Sequence, residues 1–119
     1  MEWERGVVLD AGAEAEDRAI SVITVSELLH GVHRATGARR VRRRAFVEHV
    51  LATFEPIPVT EPVARVHAEV WADLERRGRP LGAHDLWIAA TALAHGFGIV
   101  TRNAADFARI RGLRVVVPT

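Results

Sequence analysis

Glu27, Asp85 and Asp106 each follow an apolar, strand-like run and open an amphipathic helical pattern, in the segments ISVITVSELLHG, GAHDLWIAATALAHG and GIVTRNAADFARI. Parallel α/β sheets collect ligands at the carboxyl ends of their strands, so three acids at that address point to one shared site. Like charges brought together there repel unless a cation stands among them. Magnesium or manganese suits an all-oxygen set, because hard divalent ions take carboxylates and water. Such an ion acidifies a bound water and offsets charge on a phosphodiester, so the expected chemistry is hydrolysis of a nucleic acid by metal-activated water. No cysteine is present and no serine sits in a G-x-S-x-G elbow, which leaves no covalent nucleophile to compete.

Each acid also has a purely structural use. Thr24 with Glu27 has the T-x-x-E spacing of a capping box, and Asn103 with Asp106 an analogous N-x-x-D spacing. Asp85 in a first helical turn gains from the helix dipole. Thr101, at a strand end, and Asn103 are candidates to hydrogen-bond a ligand oxygen. A rival constellation is Glu27, His30 and His33, E-x-x-H-x-x-H on one helix face, which has the donors for zinc or iron but no matching second motif. His84, beside Asp85, reads as a surface histidine, and His49, His67 and His95 carry no signal. Trp71 and Trp87 fall on helical patterns and read as core or as an apolar interface.

The 119 residues suffice for one domain, residues 1–119, with a single core. At 49% hydrophobic and 26% charged the composition is that of a globular protein. The absence of cysteine agrees with a reducing compartment, and the cytoplasm is the expected location. No apolar stretch approaches the ~20 residues that span a bilayer, and MEWERG is charged where a signal peptide is apolar, so neither membrane insertion nor secretion is expected. The net charge of +1 gives little long-range field, so any steering is local. Arginine replaces lysine throughout, and Arg39, Arg40, Arg42, Arg43 and Arg44 crowd the head of one helical pattern. A guanidinium fork suits a phosphate backbone, which makes these five candidate RNA contacts; the plainer alternative is a solvated face.

The elements that position these residues alternate. Strands are expected at 19–24, 56–59, 98–101 and 114–117, and helices at 25–35, 39–54, 60–78, 83–95 and 103–110. Strands separated by helices imply an α/β fold, a mainly parallel sheet between two helical layers. The amino end fits poorly. GVVLD at 6–10 looks like an opening strand ending in Asp10, yet only residues 11–18 separate it from the next strand, and a parallel crossover needs about a dozen. Asp10 is therefore a weak candidate for the first-strand position.

From about Ala19 to Val117 the ordered trio ITVSELLHGVHRA, GAHDLWIAATALAHG and IVTRNAADFARIRGLRV resembles the PIN-domain ribonucleases, and most closely the VapC toxins of bacterial toxin–antitoxin pairs. The resemblance implies that Glu27, Asp85 and Asp106 bind magnesium or manganese, with the Asn103 position sometimes sharing the last duty. It also implies RNA cleavage, homodimerisation and inhibition by a small VapB-like antitoxin. The chain departs from the pattern at its amino end. Such toxins open with an apolar strand ending in aspartate, as in L-D-T-S, followed by a helix finishing in a segment like E-R-G, and here Glu4, Arg5 and Gly6 match that ending. The expectation is a domain without its first strand and that strand's aspartate, as in a truncated or mis-started toxin. A catalytically incomplete module that binds antitoxin or RNA without cutting is the alternative.

Overall fold

The structure is a computed structural model and describes residues 7–12 and 17–118; the E-R-G match at 4–6 lies outside the described residues. The elements run β1 (Val8–Asp10), β2 (Arg18–Ser21), α1 (Val22–Arg34), α2 (Gly37–Thr53), β3 (Pro56–Ile57), α3 (Glu61–Arg76), α4 (Ala83–His95), β4 (Gly98–Val100), α5 (Ala104–Phe107) and β5 (Val115–Val116). One five-stranded sheet results, in the order β3-β2-β1-β4-β5.

Strand direction is the main surprise. β2 and β3 pair in parallel, as do β4 and β5, whereas β1 is antiparallel to both β2 and β4. Four strands therefore run one way around a central strand that runs the other. The sequence left the centre of the sheet without a strand; the described residues fill it with Val8–Asp10, reversed. The physical reason is connection length. Residues 11–17 are too few for a parallel crossover but ample for an antiparallel return, which the Ala11 amide closes onto the Asp17 carbonyl at 3.0 Å.

Cross-strand registry builds the core. Ala19, Leu9, Ile99 and Val115 are successive partners across four strands and pack together on one face, against Leu74 of α3 and Leu86, Ile88 and Ala89 of α4. Ile20, the next residue along β2, turns to the other face and packs with Leu28 and Val32 of α1 and Val47 and Val50 of α2. Adjacent strand residues point to opposite faces, so the sheet lies between an α3/α4 layer and an α1/α2 layer. Each large aliphatic side chain buried this way contributes roughly 1.5–3 kcal/mol.

Helix limits follow local chemistry. Ser21 caps α1, its Oγ accepting from the Ile23 amide at 3.0 Å, so the helix starts before Thr24. The T-x-x-E capping box expected at Thr24 and Glu27 is thereby corrected: Thr24 lies inside the helix, buried. The strand expected at 19–24 stops at Ser21 for the same reason. Gly96, at φ 71, closes α4 in the left-handed conformation that only glycine adopts cheaply, and the Phe97 amide reaches the Ala92 carbonyl at 2.8 Å. Among the described residues no helix is long and apolar enough to cross a membrane.

Candidate active site

Because β1 opposes both of its neighbours, β2 and β4 point the same way and their chains leave from one edge of the sheet. Glu27 lies in the second turn of α1, which follows β2, and Asp106 lies on α5, which follows β4. Asp85 occupies the first turn of α4 and is only 7% exposed, but α4 follows α3 through a short loop, so the strand-like run expected before Asp85 is not a strand. A contact joins the first and second of these segments: Glu27 Oε2 lies 3.3 Å from Nδ1 of His84, the residue next to Asp85. Helix α4 thus presents its amino-terminal turn to α1, with the buried Asp85 carboxylate favoured by the helix dipole.

Asp106 is fastened separately. Asn103 Nδ2 donates to its Oδ2 at 2.7 Å, and Arg109 Nη2 stands 3.2 Å from its Oδ1. Arg109 reaches on through Nη1 to the Pro80 carbonyl at 2.6 Å, and its own carbonyl accepts from Arg77 Nη2 at 2.6 Å. The α5 segment is thereby tied to the loop that leads into α4. Arg109 was not among the residues expected at the site, and the one signal for it is its position three residues after Asp106, the spacing of a helical ion pair. Thr101 is buried, and its Oγ1 accepts from the Asn103 amide at 3.1 Å.

Asp10 stands elsewhere. It ends a reversed strand, paired with Arg18 and Gly98 at the beginnings of β2 and β4, so it occupies the sheet edge opposite Glu27. Its Oδ2 accepts from Arg114 Nη1 at 3.1 Å, its Oδ1 accepts from the Gly12 amide at 3.2 Å, and Arg18 Nε is 3.6 Å away. Burial pushes this carboxyl up, but the Arg114 hydrogen bond, the Gly12 amide and the charges of Arg18 and Arg114 outweigh it and hold the group below the usual aspartate value.

The structure therefore brings Glu27 and the Asp85 turn together, anchors Asp106 to the same side through Arg109, and takes Asp10 away. Among the described residues no group of three or more histidines and acids is arranged to hold a metal ion. The histidine that meets Glu27 is His84, on another helix, while His30 and His33 of the E-x-x-H-x-x-H pattern are exposed. His67, which carried no signal, is buried and stacks on Trp87 with ring centroids 3.5 Å apart, edge-on to Trp71 at 5.7 Å. Burial pulls its pKa down.

The arginine run divides by use. Arg40 Nε and Nη2 donate to the Ala35 and His33 carbonyls at 2.8 and 2.9 Å, capping the end of α1, and Arg44 faces Glu48 at 3.9 Å. Arg39 and Arg43 instead line a cleft of about 260 Å³ with Gly31, Arg34 and Ala35.

Comparison with known proteins agrees with this architecture. The PIN domain model matches residues 3–113. Ribonuclease VapC1 of Rickettsia felis is 39% identical over 98 residues, covering 82% of this chain and 73% of the relative. Ribonuclease VapC of Rickettsia bellii is 35% identical over 115 residues, covering 95% and 86%. A crystal structure of VapBC2 from Rickettsia felis bound to a promoter DNA fragment superposes with a TM-score of 0.79 at 29% identity, over 85% of this chain and 74% of that one.

Proposed function

The chain belongs to the PIN-domain family, and from that premise we propose that it is the endoribonuclease toxin of a toxin–antitoxin pair, with its site at the sheet edge where α1, α4 and α5 begin. The observation that supports this is the 3.3 Å contact of Glu27 with His84, which joins α1 to the first turn of α4, the turn that carries the buried Asp85. PIN-domain nucleases generally require a divalent metal ion. The donor chemistry here fits one: the acids offer only oxygen, and there is no thiolate to select a softer ion.

Glu27 and Asp85 would hold a magnesium or manganese ion, with Asp106 as the third acid. When bound, such an ion acidifies a water and offsets negative charge at the scissile phosphate. The chain's own groups orient the site. His84 contacts Glu27, Asp85 is buried in the first turn of α4, and Asn103 and Arg109 engage the two carboxylate oxygens of Asp106. The partners in this reading are RNA, a small VapB-like antitoxin and a second copy of the chain, acting in the cytoplasm; the superposition on a VapBC complex supports the antitoxin.

One observation favours a second reading. The described residues gather no three-acid group and send Asp10 to the far edge, as in a module that binds RNA or antitoxin without cutting. An RNA cleavage assay separates the two. The nuclease reading expects cutting with magnesium or manganese that a chelator stops and Asp85→Asn abolishes. RNA bound but left intact by the wild-type chain at saturating metal would establish the second.

A further inference from the structure

Gly31 lies four residues beyond Glu27 on α1, and Arg34 seven, so all three share one helix face. At 1.5 Å of rise per residue, Arg34 stands about 10 Å along the axis from Glu27. Across that face α2 brings Arg39 and Arg43, and the three guanidinium side chains line one cleft of about 260 Å³. Gly31 leaves room for the Arg43 side chain. A Cβ there would lie 3.2 Å from Arg43 Nη1 and 3.6 Å from its Cδ, so the Arg43 side chain lies directly across the glycine.

Charge in the cleft is one-sided. No described carboxylate pairs with Arg34, Arg39 or Arg43, whereas Arg40 is spent on backbone carbonyls and Arg44 on Glu48. Three guanidinium groups converging without a counter-charge repel one another, and an anion with several acceptor oxygens relieves this through charge-assisted, forked hydrogen bonds. The distance back to Glu27 is about that of one or two nucleotides along an extended strand.

Resting on the ribonuclease reading, we infer that the cleft of Arg34, Arg39 and Arg43 seats a backbone phosphate of the RNA strand, one or two nucleotides from the bond placed at the Glu27 and Asp85 edge. Recognition there is of charge and spacing, with no reading of bases. It fixes the strand's register along α1.

The test uses the full chain and a fluorescent single-stranded RNA oligonucleotide, with chelator present so that nothing is cut, and reads affinity by anisotropy across a salt series. Arg34→Gln, Arg39→Gln and Arg43→Gln are each expected to weaken binding roughly threefold to tenfold and to flatten the salt slope by about 0.7. Gly31→Val, which keeps every charge but displaces Arg43, is expected to weaken binding at least about threefold. Arg42→Gln, on the same helix but outside the cleft, is expected to stay within about twofold, and inorganic phosphate is expected to compete with RNA in the wild type and in Arg42→Gln but not in the triple glutamine variant. An unchanged affinity and slope in the triple glutamine variant overturns the inference. So does an Arg42→Gln loss as large as the cleft variants, which would mean diffuse attraction, or a triple variant that keeps RNA and loses an acidic peptide instead. Cleavage is assayed separately with metal. Cutting retained alongside unchanged binding in the triple variant removes the cleft and spares the nuclease, whereas cleft-dependent binding without cutting does the reverse.

Discussion

Asp10 and Arg114, 104 positions apart in the chain, meet at 3.1 Å by reaching across Gly98. Gly98 is the β4 partner of Asp10, and a Cβ on it would lie 2.8 Å from the Arg114 guanidinium carbon and 2.9 Å from its carbonyl oxygen. The glycine is therefore the opening through which the guanidinium crosses β4, donating also to the Asp10 carbonyl through Nη2 at 3.2 Å. Gly98→Ala should displace Arg114 and cost about 1–3 kcal/mol, as overpacking does. Chemical denaturation checks this, and a variant as stable as the wild type would mean that the crossing is easily rearranged.

The same contact makes an acid-sensitive element. The folded-state pKa of Asp10 lies below its unfolded value, so its stabilisation is complete above the unfolded pKa, near 4, and is lost as pH falls through the folded one. Asp10→Asn should remove about 1–2 kcal/mol at neutral pH, a figure kept small because Arg114 is half exposed and screened by water. The variant's stability should also fall less steeply below pH 4 than that of the wild type, as read from denaturant midpoints across pH.

His67 gives a second window. Burial lowers its folded pKa below the ordinary 6.5, so the unfolded chain binds the proton first and stability declines as pH falls from about 6.5 toward the folded value. His67→Phe keeps the stacked geometry without the proton, and it should flatten the stability profile over that range. Trp87 fluorescence in the wild type should change with protonation of the stacked ring, and the phenylalanine variant should show no such titration.

Thr24 buries a hydroxyl that makes no hydrogen bond among the described residues. Replacing it by valine removes a desolvated polar atom and keeps the shape. Thr24→Val should therefore leave stability unchanged or raise it by up to about 1 kcal/mol in thermal or denaturant unfolding. A loss above about 1 kcal/mol would show that the hydroxyl has a partner.

Much of this architecture was legible in the sequence, where local chemistry decides it. Helix α4 has the limits expected for it, because Gly96 stops it with a conformation few other residues adopt and its apolar run admits one burial. The start of α1 was not legible. Ile23 and Thr24 are β-branched and extend a strand pattern, and only the Ser21 cap shows where the helix takes over. Strand direction was illegible, since an alternation of apolar residues is the same read either way; connection length alone warned that β1 could not run in parallel. That Glu27 lies beyond the carboxyl end of a strand follows from fold class, because α1 leaves β2; Asp85 lies on a helix that follows α3 with no strand between, so fold class alone did not place it. Nor could it sort Arg40 from Arg39 and Arg43, because that depends on how α2 crosses α1. The same holds for Arg109, whose use is set by the Pro80 carbonyl 29 positions away.

On this proposal the divalent ion binds between Glu27 and Asp85 and not at Asp10. Calorimetric titration of manganese into the wild type, Asp85→Asn and Asp10→Asn tests it most directly. Binding should be measurable in the wild type and retained by Asp10→Asn. In Asp85→Asn it should fall by at least the roughly 10–100-fold that loss of an outer-shell partner costs a metal site. Equal affinity in wild type and Asp85→Asn, or a loss confined to Asp10→Asn, would contradict the assignment.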